Sequence, residues 1–191
     1  MRVTVLGCGP STGVPVIGGN WGRCDPADRR NRRRRVSVLV EVGRRFGYVL
    51  KPVEEPGRYY KPTLIPHEIV GPFEIHGIGV VPFAQDHGFS TTLGIRIGPF
   101  AYSTDVTALD ETAFAALEGV DLWIVDCLRR ERHPTHSHLA KTLAWIARVK
   151  PRCAVLTHMD QSLDYRELAT ELPPGIEPGY DGLAIDVRNF P

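Results

Sequence analysis

Three short signals place residues able to hold a divalent metal: Asp86-His87-Gly88, Ser103-Thr104-Asp105 and Leu156-Thr157-His158. Each sets an imidazole or a carboxylate where a strand-like run stops. Imidazole nitrogen and carboxylate oxygen at neighbouring strand ends suit a borderline-soft cation such as zinc. Taken singly, each has a plain structural reading. A histidine after a strand is often packing, and an aspartate after Ser-Thr is often a turn or a helix N-cap. The combination in this order gives the metal reading its weight. A second cluster, His133-Pro-Thr-His136-Ser-His138, offers groups that titrate near neutrality and suit proton transfer. Its alternative reading is a helix N-terminus at Leu139, capped by Thr135 or Ser137, with the histidines in water. The third signal is Arg29, Arg30, Arg32, Arg33, Arg34 and Arg35, six arginines in seven positions. One reading is a solvated turn. The other is that Arg33 and Arg34 reach a substrate phosphate, whose oxygens match the guanidinium fork.

These side chains need a frame, and the hydrophobic pattern supplies one. Val3 to Gly7 alternates as a strand and leads into the loop Gly7-Cys-Gly-Pro-Ser-Thr-Gly-Val-Pro15. Val36 to Val42 reads as a second strand, and Gly43-Arg44-Arg45 then runs straight into Phe46 to Leu50. Short strands follow at Phe73–His76, Gly79–Phe83, Thr92–Ile97 and Phe100–Ser103. Asp121–Cys127 and Cys153–Thr157 are apolar, as buried strands are. Helices are expected over Glu111–Glu118, Leu139–Val149 and Leu163–Leu172, with a last strand at Leu183–Val187. The N-terminal part is thus β-rich and the C-terminal part alternates strand and helix, an α/β pattern of two sheets with helices outside.

Bulk properties narrow the function. The chain has 191 residues, 42% hydrophobic and 24% charged, which suits one globular domain over 1–191. With 23 basic and 22 acidic residues the net charge is +1, so no global field selects nucleic acid or membrane. No nucleic-acid partner is expected, because the arginine run lacks the interleaved aromatics that stack on bases. No membrane span and no signal peptide are read. Cys8, Cys24, Cys127 and Cys153 are scattered, which fits reduced thiols and a cytoplasmic protein.

Leu156-Thr-His158, Ser162-Leu-Asp164 and the run Leu172-Pro-Pro-Gly-Ile-Glu-Pro-Gly-Tyr-Asp-Gly-Leu183 resemble the C-terminus of metallo-β-lactamase-fold phosphodiesterases. The family is that of the phosphoribosyl cyclic phosphodiesterase of phosphonate catabolism, and the opening glycine-rich loop is similar too. The resemblance implies a four-layer αββα sandwich. It implies two divalent metals, zinc or manganese, roughly 3.5–4 Å apart, with a water held between them. Carried over, His87 would bind one metal, His158 the other, and Asp105 would bridge them and take part in catalysis. His136 would be the general acid on the leaving alkoxide, with His138 as the alternative. The implied substrate is a small cyclic or phosphoribosyl-type phosphodiester.

The chain departs from the family at one decisive place. The motif His-x-His-x-Asp-His, due after Val36–Val42, does not occur. Whole members run to roughly 250 residues, so the junction near 43–46 reads as an excision that leaves the fold incomplete in its N-terminal half. Two readings stay open: the protein lacks this block, or the sequence as printed omits residues the protein has. With His87, Asp105 and His158 alone, weak metal binding and poor catalysis are expected. Core surface bared by such an excision would favour instability or a homodimer. The family's structural zinc is expected to be absent, because only Cys24 remains near its loop and Gln161 stands at its histidine position. Asp126-Cys127 is expected to be a strand end packed near the site. Other readings kept in view are a non-catalytic phosphate- or partner-binding remnant, a ribonuclease-Z-like RNA enzyme, and a thioester hydrolase.

Overall fold

The computed structural model describes residues 2–35, 68–75 and 77–187. The expected strand at 36–42, the run 46–50 and the junction near 43–46 lie outside the described residues. The chain divides into two compact units, Met1–Val36 with Gly71–Pro191, and Ser37–Val70. The architecture below is that of the first.

Nine strands, three α-helices and one 3-10 turn, Arg29–Asn31, are found among the described residues. The strands are β1 (Arg2–Thr4), β2 (Phe73–Ile75), β3 (Ile78–Asp86), β4 (Thr91–Ile97), β5 (Phe100–Ser103), β6 (Leu122–Asp126), β7 (Cys153–Thr157), β8 (Ile176–Pro178) and β9 (Ala184–Asp186). The helices are α1 (Glu111–Leu117), α2 (Leu139–Val149) and α3 (Tyr165–Glu171). β2 to β8 form one sheet in sequence order, and β1 pairs with β9 in a second. Down to β5 the large sheet is antiparallel; β5, β6, β7 and β8 run parallel. The change follows from the connections. Tight turns join antiparallel neighbours, whereas parallel neighbours need a crossover, which α1, α2 and α3 provide.

β6 reads Leu-Trp-Ile-Val-Asp and is buried at all five positions. A parallel strand covered on both faces reads as a continuous apolar run for this reason. Leu122, Trp123, Val125, Val155 and Leu156 pack in one core with Ala113 and Leu117 of α1, Trp145 and Ile146 of α2, and Leu168 of α3. Val5, Leu183 and Val187, beside the β1–β9 ladder, join the same core. The Trp123 ring is buried with its Nε1 donating to Ser103 Oγ at 3.0 Å, so its one polar atom is satisfied. Across β3 and β4, Phe83 pairs with Gly94, and a Cβ at Gly94 would lie 2.2 Å from the Phe83 ring. Only glycine fits under that ring.

α2 packs through Thr142, Trp145 and Ile146, the i, i+3, i+4 spacing of a buried stripe. It stops at Lys150, whose left-handed backbone returns its N–H to the Ile146 carbonyl. Its N-cap is His138, with no side-chain cap bond. Neither Thr135 nor Ser137 caps it; Ser137 Oγ instead shares a hydrogen bond with Thr142 Oγ1. α1 and α3 are capped by Asp110 and Asp164, whose carboxylates accept from the first-turn N–H groups. Among the described residues no helix is long and apolar enough to cross a membrane.

The fold places a quantitative demand on its centre. Leu156→Ala, fully buried in β7, is expected to cost about 2–5 kcal/mol. Leu6→Ala, 81% exposed, is expected to stay within about 0.5 kcal/mol. Urea midpoints at unchanged m-value measure both; equal costs would contradict this core.

Candidate functional site

The parallel strands β5, β6 and β7 lie side by side, and their carboxyl ends deliver Asp105, Asp126 and His158. Open α/β sheets build their sites at this edge. His87 arrives from the end of β3, and His136 from the loop between β6 and α2.

Asp126 closes β6 at 0% exposure. Its Oδ2 accepts from the Asp105 N–H at 2.8 Å, from Val106 N–H at 3.4 Å and from His136 Nδ1 at 3.0 Å. One carboxylate oxygen thus aims the loop after β5 and orients the His136 ring, leaving His136 Nε2 as its other nitrogen. His87 is oriented in the same manner, with Nδ1 2.7 Å from the Thr135 carbonyl. A carbonyl only accepts, so Nδ1 carries the proton and the Nε2 lone pair stays available to a cation. Gly88 makes that contact possible: its φ is +76°, and a Cβ there would lie 2.9 Å from the Pro134 carbonyl oxygen.

Asp105 and His158 both have left-handed backbone, with φ of +56° and +62°. Non-glycine residues occupy this region at a cost, and such strain gathers at functional sites. The geometry brings His158 Nε2 within 3.4 Å of Asp105 Oδ1. The His136 ring stacks on His158 at 4.5 Å between centroids and meets His87 edge-on at 4.7 Å. Ligand atoms of His87, Asp105 and His136 lie within 4.8 Å of one another, as do those of Asp126, His136 and His158. Asp126 Oδ1 and His158 Nδ1 are buried without a hydrogen-bond partner. A buried carboxylate oxygen and a buried imidazole nitrogen left in this state are costly to a bare protein. They are the donor types a borderline-soft divalent cation takes, so the residues present fit such an ion.

Electrostatics couples the same groups. Burial disfavours the Asp105 anion, yet the hydrogen bond from His158 and the fields of His158, His136 and His87 outweigh it and lower its pKa. Burial likewise disfavours a charged His158, but the Asp105 hydrogen bond and the Asp126 and Asp105 carboxylates raise its pKa on balance. In the metal-free protein each favours the charged form of the other, so a metal that takes His158 competes with its proton.

The structure brings His87, Asp105, His136 and His158 together. Asp126 lies where expected, at a strand end packed near the site, and the structure adds what it does there: it holds the Asp105 loop and orients the His136 ring. His138 lies at the helix start, its side chain in a separate cavity with Lys141. Arg33 requires a correction. It is 2% exposed and cannot meet a substrate phosphate. Its Nη1 donates to the Asp160 carbonyl at 2.9 Å and reaches the Met159 carbonyl and Cys24 Sγ. Its Nη2 donates to the Leu163 carbonyl at 2.7 Å and to Asn31 Oδ1. The reason is register: Val14 and Arg33 pair backbone to backbone, which turns this arginine inward. Cys24 Sγ donates to the Leu163 carbonyl, and Gln161 packs over Gly22. Arg34 points outward at 87% side-chain exposure, with Asp181 at 3.9 Å.

Comparison with known proteins agrees with this frame. A sequence model described as a beta-lactamase superfamily domain matches residues 25–159. An octanoyltransferase of Porphyromonas gingivalis is 24% identical over 253 positions, covering 96% of this chain and 51% of that protein. The chain therefore spans about half the length of this curated relative. The alignment is also longer than the chain, 253 positions against 191, so at least 62 of them face no residue of this protein. A diphosphatase from the PhnP family superposes with a TM-score of 0.80 at 24% identity, covering 98% of each chain. Zn²⁺-bound PqqB from Methylobacterium extorquens superposes at 0.68 and 16% identity, covering 98% of this chain and 100% of that one. The architecture is the metallo-β-lactamase αββα sandwich.

Two outcomes test the site. His158, with its pKa raised by folding, contributes stability that is complete below the ordinary histidine value of about 6.5 and is lost as pH rises through the raised value. Asp105, with its pKa lowered, contributes above about 3.9 and loses this as pH falls through the lowered value. His133 and His138 are shifted down, chiefly by burial, and act in the opposite sense, so the difference between wild type and His158→Gln isolates the pair. In chelator, this difference in melting temperature should shrink as pH rises above about 6.5; growth would contradict the pairing. Arg33→Lys should cost about 3 kcal/mol by leaving buried carbonyls unpaired. Arg34→Ala should stay within about 0.5 kcal/mol in the same urea titration.

Proposed function

The chain belongs to the beta-lactamase superfamily, and from that membership we propose a metal-dependent hydrolase of small phosphorylated molecules, cleaving a phosphodiester of the cyclic or phosphoribosyl type. The observation that carries the reading is the convergence of His87, Asp105, Asp126, His136 and His158 in two overlapping donor triads.

His136 belongs to both triads, and a single imidazole cannot serve two ions and a leaving group at once. Its Nδ1 is bonded to Asp126, which holds the ring and fixes its orientation. Nε2 then remains to pass a proton to the departing oxygen. His87, with its Nδ1 proton on Thr135, Asp105 and His158 would hold the cation, either zinc or manganese. When bound, such an ion supplies Lewis acidity toward a phosphoryl oxygen and toward water. Asp105 is kept ionised by its histidine neighbours and so enters as an anionic donor. This assignment favours one firmly held ion and a weaker second one.

Acyl transfer, which the name of the Porphyromonas relative raises, finds no support in the thiols. Burial raises the pKa of Cys8, Cys24, Cys127 and Cys153 alike, which holds them as poor nucleophiles.

Elemental analysis after equilibration with zinc or manganese should find at least one ion per chain. His158→Ala and Asp105→Ala should abolish both this ion and hydrolysis of phosphodiesters. Asp126→Asn should lower metal affinity or turnover by about 10–100-fold while the protein stays folded. Phosphate-ester binding that persists without metal and survives these substitutions would sink the enzyme reading in favour of a binding remnant.

A further inference from the structure

The buried member of the arginine run sits in a cage of acceptors. The Arg33 guanidinium reaches the carbonyls of Leu163 at 2.7 Å, Asp160 at 2.9 Å and Met159 at 3.5 Å. Asn31 Oδ1 at 3.2 Å and Cys24 Sγ at 3.9 Å close the cage, and both residues are buried. What these bonds set around the buried charge is carbonyl and amide oxygen rather than carboxylate. Oxygen dipoles aimed at one buried point repel one another unless a cation sits there, which is how backbone carbonyls hold metal ions.

The cage joins two stretches far apart in sequence, residues 21–33 and the loop that begins at His158. Arg23 N–H donates to the Gln161 carbonyl at 2.8 Å, Asp25 N–H to Asp164 Oδ2 at 3.0 Å and Asn31 Nδ2 to the same oxygen at 2.7 Å. The resemblance puts a structural zinc at this junction, and the groups present do not fit one. A structural zinc takes four thiolate or imidazole donors. Cys24 is a single thiol whose Sγ donates to the Leu163 carbonyl, and it belongs to no metal-holding group among the described residues. Burial raises its pKa and outweighs the pull of the Arg33 charge, so it stays protonated. Gln161 spends its aliphatic chain against Gly22, where a Cβ would lie 2.4 Å from Gln161 Cγ.

We propose that the Arg33 guanidinium takes the place of a structural metal ion, and that through it Arg33 is a positioning residue for His158. The inference rests on the reading of the neighbouring donor cluster as a metal site. His158 has left-handed backbone, and the two carbonyls that follow it are both tied to Arg33 Nη1. A metal ion would hold such a loop through bonds that a chelator breaks and protons compete for. A guanidinium holds it through hydrogen bonds in a fixed fork and stays charged across the working pH range. The loop is therefore locked before any cation reaches His158, and the donor cluster keeps its shape without a second kind of metal site.

Cobalt(II) is titrated into the full chain, because its spectrum separates sulfur donors from nitrogen and oxygen donors. Wild type and Cys24→Ser should bind it alike and show no sulfur-to-cobalt charge-transfer band; a band that Cys24→Ser removes overturns the proposal. Arg33→Lys keeps the charge and loses the fork, and should bind cobalt about tenfold more weakly. Wild-type affinity in Arg33→Lys overturns the proposal. Arg34→Ala, from the outward side of the same run, is the control and should bind as wild type. Arg33→Ala takes the guanidinium out of the cage. Free guanidinium at low millimolar concentration, far below its denaturing range, should then raise the melting temperature of this variant and strengthen its cobalt binding, and sodium at equal ionic strength should do neither. Should Arg33→Ala be unfolded alone, the same addition should restore a cooperative melt. No gain in Arg33→Ala, or an equal gain in wild type, overturns the proposal. A wild type that binds no cobalt would remove the metal-site reading, while the guanidinium response of Arg33→Ala would still decide what locks the loop.

Discussion

A single buried carboxylate oxygen, Asp126 Oδ2, governs the geometry of everything around it. It sits at the end of the most deeply covered strand and takes the backbone N–H of Asp105, that of Val106 and the ring of His136. A charge at 0% exposure is tolerable only when its lone pairs are met by donors in good geometry. Here those donors belong to two separate loops, so satisfying the carboxylate and positioning the site are one requirement. The Asp126 carbonyl extends the network by accepting from Thr142 Oγ1, which ties α2 to the same strand end. The other carboxylate oxygen has no hydrogen-bond partner.

The second constraint is backbone strain held in place by this network. Asp105 and His158 turn left-handed just past the ends of β5 and β7, the parallel strands on either side of β6. Relaxing either one would swing its side chain away from the cluster. The hydrogen bond from the Asp105 N–H to Asp126 opposes this on one side. On the other, Met159 N–H donates to the Cys8 carbonyl and Asp160 N–H to the Leu128 carbonyl. Arg33 completes the second clamp from within, because its guanidinium bonds the carbonyls that immediately follow His158. A fixed positive charge on a rigid fork is thus spent on loop geometry rather than on ligand binding. Asp164 reinforces the arrangement, capping α3 with one oxygen and holding Asp25 N–H and Asn31 Nδ2 with the other.

How much of this can be read from sequence depends on what kind of information each feature carries. β4, β5, β7, α1 and α2 follow their hydrophobic patterns closely because their periods are strong and their ends carry Asp, Gly or Lys stops. β8 is invisible to such reasoning: three residues, Ile-Glu-Pro, sit among glycines and prolines and are strand only because β7 offers them an edge. His87, Asp105 and His158 are legible because chemistry-bearing residues at strand ends are uncommon. The role of Asp126 is not, since the information that makes it central is the strand order, with β6 between β5 and β7. Arg33 and Arg34 are indistinguishable in a run of six arginines, and one residue of register against Val14 buries the first and exposes the second.

The donor inventory then limits what chemistry the described residues support. Two triads that share His136 provide three donors each only if that imidazole is a ligand, and then His136 itself has no nitrogen left for proton transfer. If His136 is the proton donor, Asp126 acts as its orienting base and the cation falls to His87, Asp105 and His158. The observed hydrogen bond favours the second division, since Nδ1 of His136 and Oδ2 of Asp126 are already committed to each other at 3.0 Å. A carboxylate that also accepts two backbone N–H groups has little electron density left to give a metal through that oxygen. Asp126 is then best understood as the group that fixes one imidazole's tautomer and one loop's strain, the role that outer carboxylates play around histidine sites.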